Sequence, residues 1–336
     1  MRSGSERLAI AAGAVALLAA GGILFHLRSS RAQPRVTHVV IVSLDGLSSD
    51  AVQALGPVAL PTLHRLAWRG AFTLNARADP NSTETLANHL SMMTGLPLSA
   101  HGYSDNTLEA RAPKKITCES LFDVVHRSGK RAALVSSKKK FLLYGERWRG
   151  AIDRVDVTDR DDDATLAAWI AIMRERDPAL SFLHLAAIDR AGHAKGWDLS
   201  AGSPYTAAVR ETEALIATLI QTIDHDPALR DHTAIILTSD HGGRDRNHVD
   251  AKDRAMFTVP LIVMSPATAG GDLYALNAGI RADPGLSRTS TSSVLPPISS
   301  ADVANAALGL LGLPAVPGST ANVRQDMYFG APAPLR

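Results

Sequence analysis

The sequence predicts an α/β fold, a mostly parallel central sheet with helices on both faces. Three observations predict it. Apolar, β-branched runs such as His38-Val39-Val40-Ile41-Val42-Ser43-Leu44 and Ala234-Ile235-Ile236-Leu237 lack polar alternation, the mark of strands covered on both sides. Segments of helical period separate these runs, giving a βαβα order. About 300 of the 336 residues follow position 35, enough for one large α/β domain with a full core.

Residues 1–7 read as a short tail. Leu8 to Leu27 is an apolar run broken only by small residues and His26. About 20 apolar residues suffice to span a bilayer. Two readings stand: an uncleaved transmembrane signal anchor over 8–27, or a signal peptide cleaved after Ser30-Arg31-Ala32. The length of the run and the arginines at 28 and 31 favour the anchor. Arginine flanks both ends, so loop charge assigns no orientation. Residues 28–37, rich in Arg, Ser, Gln and Pro, read as a linker.

The first strand covers roughly 38–45. Asp50–Leu55 reads as a short helix before Pro57, and Pro61–Trp68 as another with proline in its first turn. A helix from about Leu86 to Met93 follows the polar run Asn81-Ser82-Thr83-Glu84-Thr85. Cys118–Ser128 reads as a helix and Lys130–Ser136 as a strand. The acidic cluster Asp159–Asp163 is the charged N-terminus of a helix carrying Leu166, Trp169, Ile170 and Met173, not a metal site. Leu180–Ala187 is strand-like and Tyr205–Ile223 a long amphipathic helix. Strands follow at about 233–239 and 258–264. Residues 267–299, rich in Gly, Ala, Ser, Thr and Pro, read as a long loop or short hairpin on the rim of the site. Ile298–Leu313 closes the domain as a helix.

Lys and Arg number 35 against 33 Asp and Glu, a net charge of +2. With no basic stripe, no specific nucleic-acid binding is expected. Lys138-Lys139-Lys140 is short and reads as a solvated loop. The single Cys118 makes no internal disulfide and reads as a small buried residue.

Carboxylates and imidazoles fall into four groups. Asp45 ends the first strand, where open α/β sheets place their ligands. Asp189 and His193 follow a second strand-like run, and a tight turn made easier by Gly192 would bring them onto one ion. Asp240-His241 ends a third run, and His248 lies seven residues beyond His241. Oxygen and nitrogen donors without Cys ligands suit a catalytic Zn²⁺ site rather than a structural one. Each group alone has a bland reading as a turn or strand cap; all of them in this order do not.

With these residues in place the chain resembles the alkaline phosphatase superfamily, and within it the nucleotide pyrophosphatase/phosphodiesterase branch. That branch typically reads Pro-Thr-Lys-Thr-Phe-Pro-Asn-His around its nucleophile. The window here is Ser82-Thr83-Glu84-Thr85-Leu86-Ala87-Asn88-His89, which puts Thr85 at the nucleophile position and departs by Ser and Ala for two prolines. The match continues through Met93-Thr94-Gly95-Leu96-Pro97 and His101-Gly102. The branch carries an asparagine 21 residues after its nucleophile, which here is Asn106. Leu44-Asp45-Gly46, Asp189-x-x-x-His193 and Asp240-His241-Gly242 match the metal-ligand motifs.

The resemblance implies an alkaline-phosphatase-like three-layer sandwich forming a catalytic domain over 38–336. It implies two divalent ions, most naturally Zn²⁺. Asp189, His193 and His248 would hold one; Asp45, Asp240, His241 and the Thr85 oxygen would hold the other. Thr85 would pass through a phospho-threonine, with Asn106 donating to a phosphoryl oxygen. The substrate would be a small-molecule phosphodiester or pyrophosphate. Threonine, Asn106 and the lack of an arginine assignable to a monoester's extra charge favour diesters. Phosphomonoester or phosphonate-ester hydrolysis on the same site stays open. Sulfate-ester hydrolysis lacks its formylglycine motif. A different class, an inactive membrane-anchored binding protein, would show a lost ligand. The expected location is the membrane with the catalytic domain outside the cytoplasm, or secretion after signal cleavage.

Overall fold

The computed structural model describes residues 36–107, 113–250, 252–266, 268, 270–287 and 294–330. The expected tail, the 8–27 anchor and nearly all of the linker lie outside them. No helix among the described residues is long and apolar enough to cross a membrane.

Eight strands form one sheet among the described residues: β1 His38–Leu44, β2 Ala71–Arg77, β3 Ala132–Ser136, β4 Arg154–Val157, β5 Leu180–Leu185, β6 Thr233–Thr238, β7 Thr258–Met264 and β8 Gly271–Asp272. Their order is β4-β3-β5-β1-β6-β7-β2-β8. β7 pairs antiparallel with both β6 and β2, and the other neighbours pair parallel.

β1 explains the three layers. All seven of its residues are buried. Successive side chains leave a strand on opposite faces. Val39 and Ile41 join one core, while Val40, Val42 and Leu44 join the other. Over the first core pack α3 Thr85–Thr94, α4 Leu121–Arg127 and α8 Asp302–Leu310, named after α1 Ser49–Ala59 and α2 Pro61–Arg69. Over the second lie α1, α2, α5 Asp162–Arg176, α6 Ala187–Lys195 and α7 Pro204–His225. Shorter helical turns join them.

Several boundaries differ from the sequence reading for identifiable reasons. α1 runs on past Pro57 through a kink at Gly56, whose φ is 63°. α4 starts at Leu121 rather than Cys118 because Ser120 forms a capping box with Asp123. α8 starts at Asp302 rather than Ile298, with the Asp302 carboxylate accepting from Ser299 N at 2.8 Å. β2 and β4 escaped notice. β2 carries Asn75 and a register shift between Thr73 and Ala76, and β4 is a four-residue edge strand, half exposed. Part of the expected 267–299 loop is instead β8 and a helical turn, Leu273–Leu276, against the β2 edge.

Two packing devices hold the helices of the second layer in place. α2 has no side-chain cap of its own. Glu213 reaches over from α7, and its carboxylate accepts from Thr62 N and, at 3.2 Å, from Leu63 N. Trp197, just past α6, donates from Nε1 to the Gly46 carbonyl at 2.9 Å. Its ring lies so close to Gly192 and Gly243 that a Cβ there would come within 2.5 and 2.3 Å of it. Gly192 is thus needed for contact with Trp197.

Glu213→Ala should lower unfolding free energy by about 1–2 kcal/mol, the cost of leaving helix N–H donors unpaired, with Glu213→Gln between it and wild type in urea titrations. Gly243→Ala should cost about 1–3 kcal/mol by overpacking against Trp197. An unchanged urea midpoint would mean that Trp197 does not pack there.

Candidate active site

The site follows from strand order. β5, β1 and β6 are adjacent and parallel, with Leu44 level with Leu185 and Ser43 level with Thr238. Their C-terminal ends therefore deliver Asp45, Asp189 and Asp240 to one place. Gly46, with φ 76°, turns the chain there, and a Cβ on it would lie 2.9 Å from Asp189 Cα. Only glycine combines that φ with that approach. Asp189 and His193 come together one helical turn apart on α6, not across a tight turn as the sequence reading held.

Two donor groups result. Asp189, His193 and His248 form one, and Asp45, Asp240 and His241 the other, each with ligand atoms within 4.8 Å of one another. All six are buried except His193. Each histidine turns Nδ1 to a main-chain carbonyl: His193 to Arg246 at 3.1 Å, His241 to Gly242 at 2.8 Å and His248 to Thr83 at 2.8 Å. That contact makes Nδ1 the proton donor and leaves Nε2 free as a ligand. Among the described residues, Asp45 Oδ1, Asp189 Oδ1, Asp240 Oδ2 and His241 Nε2 are buried and make no hydrogen bond. Yet His241 Nε2 lies 3.4 Å from Asp45 Oδ1 and 3.3 Å from Asp240 Oδ2. Buried polar atoms converging without hydrogen bonds fit divalent ions, which would satisfy them together. The His241 and His248 rings stack at 3.6 Å and join the two groups.

Thr85 is buried at the first position of α3. A helix N-terminus offers unpaired N–H groups to a phosphate. Asn88 fixes the loop before it, accepting from Asp79 N at 2.7 Å and donating to the Ser82 and Glu84 carbonyls at 3.1 Å. Thr83 donates its hydroxyl to the His248 carbonyl, so the loop before Thr85 and His248 hold each other. Asn106 lies beside Thr85, its Oδ1 accepting from Leu86 N at 3.1 Å and its amide donating to Glu84.

Three residues that the sequence reading did not assign complete the site. Lys138, expected in a solvated loop, points inward: Nζ donates to Asp45 Oδ2 at 2.6 Å and Asp189 Oδ2 at 2.8 Å, and lies 3.5 Å from Thr85 Oγ1. His184, inside β5, donates from Nε2 to Asp45 Oδ2 at 2.9 Å. His89 donates from Nδ1 to the Thr85 carbonyl at 2.7 Å and accepts from Ser43 Oγ at 2.8 Å. For His184 and His89 a signal existed, a histidine in a strand core and one in the nucleophile motif. For Lys138 there was none, because three consecutive lysines read as surface.

The charges sort accordingly. Burial pushes the Asp45 carboxyl up, but Lys138, His184 and His241 together hold it well below its usual value. Burial pushes Asp240 well above it, reinforced by Asp45 and Asp189. Burial lowers His241, and burial with His241 lowers His248 to about 3. Neutral imidazoles are the form that binds a metal. Burial also opposes the Lys138 charge, but Asp45, Asp189 and Asp240 overcome it and raise its pKa. Arg190 is held by Asp162, whose carboxylate also accepts from the Ala186 and Ala187 amides at the start of α6.

A family model described as type I phosphodiesterase / nucleotide pyrophosphatase matches residues 39–282. Ectonucleotide pyrophosphatase/phosphodiesterase family member 1 of Mus musculus is 24% identical over 219 residues, 60% of this chain and 24% of the relative. The match thus spans about a quarter of the length of that relative. Among solved structures, murine ectonucleotide pyrophosphatase / phosphodiesterase 5 superposes with a TM-score of 0.63 at 15% identity, covering 87% of this chain and 99% of its own. A Vibrio parahaemolyticus protein in the alkaline phosphatase superfamily gives 0.60 at 14%, covering 91% and 72%. The fold is therefore the alkaline-phosphatase-like three-layer α/β sandwich. With the family model matched from residue 39 to residue 282, the chain belongs to the type I phosphodiesterase / nucleotide pyrophosphatase family.

Proposed function

We propose that this protein hydrolyses phosphodiester or pyrophosphate bonds of small molecules through a phospho-threonine on Thr85. The observation that carries it is the meeting of three groups at one point: the Lys138 ammonium touches a carboxylate from each donor group and lies beside the Thr85 hydroxyl. Thr85 Oγ1 bonds to phosphorus as the ester oxygen departs and takes a proton. Water then breaks the P–Oγ1 bond and restores the hydroxyl. His89 holds the Thr85 carbonyl and so aims the first turn of α3. Asn106 is the amide donor for a phosphoryl oxygen, at the helix N-terminus where such an oxygen is favoured. Asp189, His193 and His248 would hold one divalent ion and Asp45, Asp240 and His241 the other, with Thr85 Oγ1 available as a further ligand of the second. When bound, these ions lower the pKa of the hydroxyl and offset charge on the phosphoryl oxygens. Imidazole and carboxylate donors point to Zn²⁺.

The related murine structure is of an inactive threonine-to-alanine variant in complex with AMP, which supports both a threonine nucleophile and nucleotide substrates. The apolar run at 8–27 is the basis for the membrane anchor in this reading, and a catalytic domain outside the cytoplasm is part of the same proposal.

Loaded with Zn²⁺, the purified chain should bind two ions and cleave an aryl phosphodiester. Thr85→Ala should lose at least ~10³-fold in kcat while keeping its metal, and Thr85→Ser should retain part of the activity. Chelation should abolish turnover and readdition restore it. An active Thr85→Ala variant, or full activity in chelator, would refute the mechanism.

A further inference from the structure

Lys138 does more than balance charge. It begins the turn after β3, directed into the site by main-chain geometry: its own N–H donates to Ser136 Oγ at 3.1 Å, and its carbonyl accepts from Phe141 N at 3.1 Å. An ammonium has three N–H donors. Two go to Asp45 Oδ2 and Asp189 Oδ2, at 2.6 and 2.8 Å. The remaining direction faces Thr85 Oγ1 at 3.5 Å. The carboxylate atoms it uses are both Oδ2. Oδ1 of each residue faces its donor group and makes no hydrogen bond among the described residues. The lysine therefore leaves one oxygen of each carboxylate available to an ion.

We propose that Lys138 is a catalytic residue whose third N–H meets the phosphoryl group on Thr85, and that it makes phosphate monoesters substrates of this site beside diesters. The inference rests on the phospho-threonine reading above. An oxygen on phosphorus lies two bonds beyond Oγ1, so a phosphoryl group on Thr85 extends into the space that the third N–H of Nζ faces. A phosphodiester carries one negative charge there, whereas a monoester carries nearly two at neutral pH, since its second pKa is about 6. The fixed cation therefore acts more strongly on the monoester. Lys140 does not serve this purpose. Its Nζ is engaged by Asn106 O and Oδ1, both at 3.0 Å, so it positions Asn106. Lys138 thus fills the place for which the sequence offered no arginine.

The test uses the full Zn²⁺-loaded chain with para-nitrophenyl phosphate and bis(para-nitrophenyl) phosphate. In Lys138→Met, kcat/KM should fall about 10–100-fold more for the monoester than for the diester, the worth of one charged hydrogen bond. Inorganic phosphate, titrated calorimetrically against the Thr85→Ala protein with and without Lys138→Met, should bind more weakly by a similar factor. Lys138→Arg should restore part of both. Lys138→Gln, still able to donate to one carboxylate, repeats the comparison where the Met variant does not fold. Equal losses on the two esters with unchanged phosphate affinity, whether or not metal is lost, would reduce Lys138 to a counter-ion and overturn the proposal. A wild-type chain that binds no metal, or an active Thr85→Ala, would sink the underlying reading instead.

Discussion

Three carboxylates, Asp45, Asp189 and Asp240, are buried side by side at the ends of three adjacent strands. Taking one carboxylate from water is costly, and three together repel one another, so the arrangement needs positive charge at the same place. Lys138 supplies part of it. The lowered Asp45 and raised Asp240 show what remains. One cation bonds to Asp45 and Asp189, while burial and those two carboxylates drive Asp240 towards its neutral form. Divalent ions answer that imbalance directly. Each would take atoms that hydrogen bonds leave alone and would return Asp240 to its charged form.

The rest of the fold keeps those charges from relaxing apart. Parallel pairing fixes the strand ends level. Gly46 allows Asp189 to close against the turn that follows Asp45. Trp197, with Gly192 and Gly243 pressed to its ring, ties α6 to the Asp240-His241 segment and, through Gly46, to β1. Thr85 arrives from the other core. Thr85 belongs to α3, and His89 one turn later reaches Ser43 on β1. Thr85 is thus referenced to the same strand that leads into Asp45. In the proposed reaction a Thr85 oxygen held this way needs little rearrangement to meet phosphorus, which is what positioning contributes to rate.

Much of this was legible in the sequence because it is periodic or local. Buried parallel strands write continuous apolar runs, and their C-terminal ends carried the aspartates. α7 was visible from its amphipathic spacing, and Asn106 from the family resemblance, which places an asparagine 21 residues after the position of Thr85. What escaped was set by tertiary contact. β2 has mixed polarity and a bulge, so no two-residue alternation marks it. The partner that brings Asp189 and His193 together is a helix because Asp162, from a distant acidic cluster, accepts from the first amides of α6. That cluster read as a helix N-terminus, and Asp161 does cap α5. Its neighbour Asp162 serves a second helix, a role that local spacing does not encode.

Lys138 marks the same limit at the centre of the site. Three consecutive lysines have one composition and three fates here. Lys138 enters the carboxylate cluster, Lys139 pairs with Asp159 while largely exposed, and Lys140 holds Asn106. The difference comes from the turn after β3, which points successive side chains in different directions around one sheet end. Long ammonium side chains can bury their stems and deliver charge several bonds from the backbone. A lysine run next to a strand end is therefore ambiguous until the carboxylates it can reach are known. Once Asp45 after β1 and Asp189 on α6 are brought together, the inward lysine has a defined partner on each side, and its remaining donor faces Thr85 Oγ1.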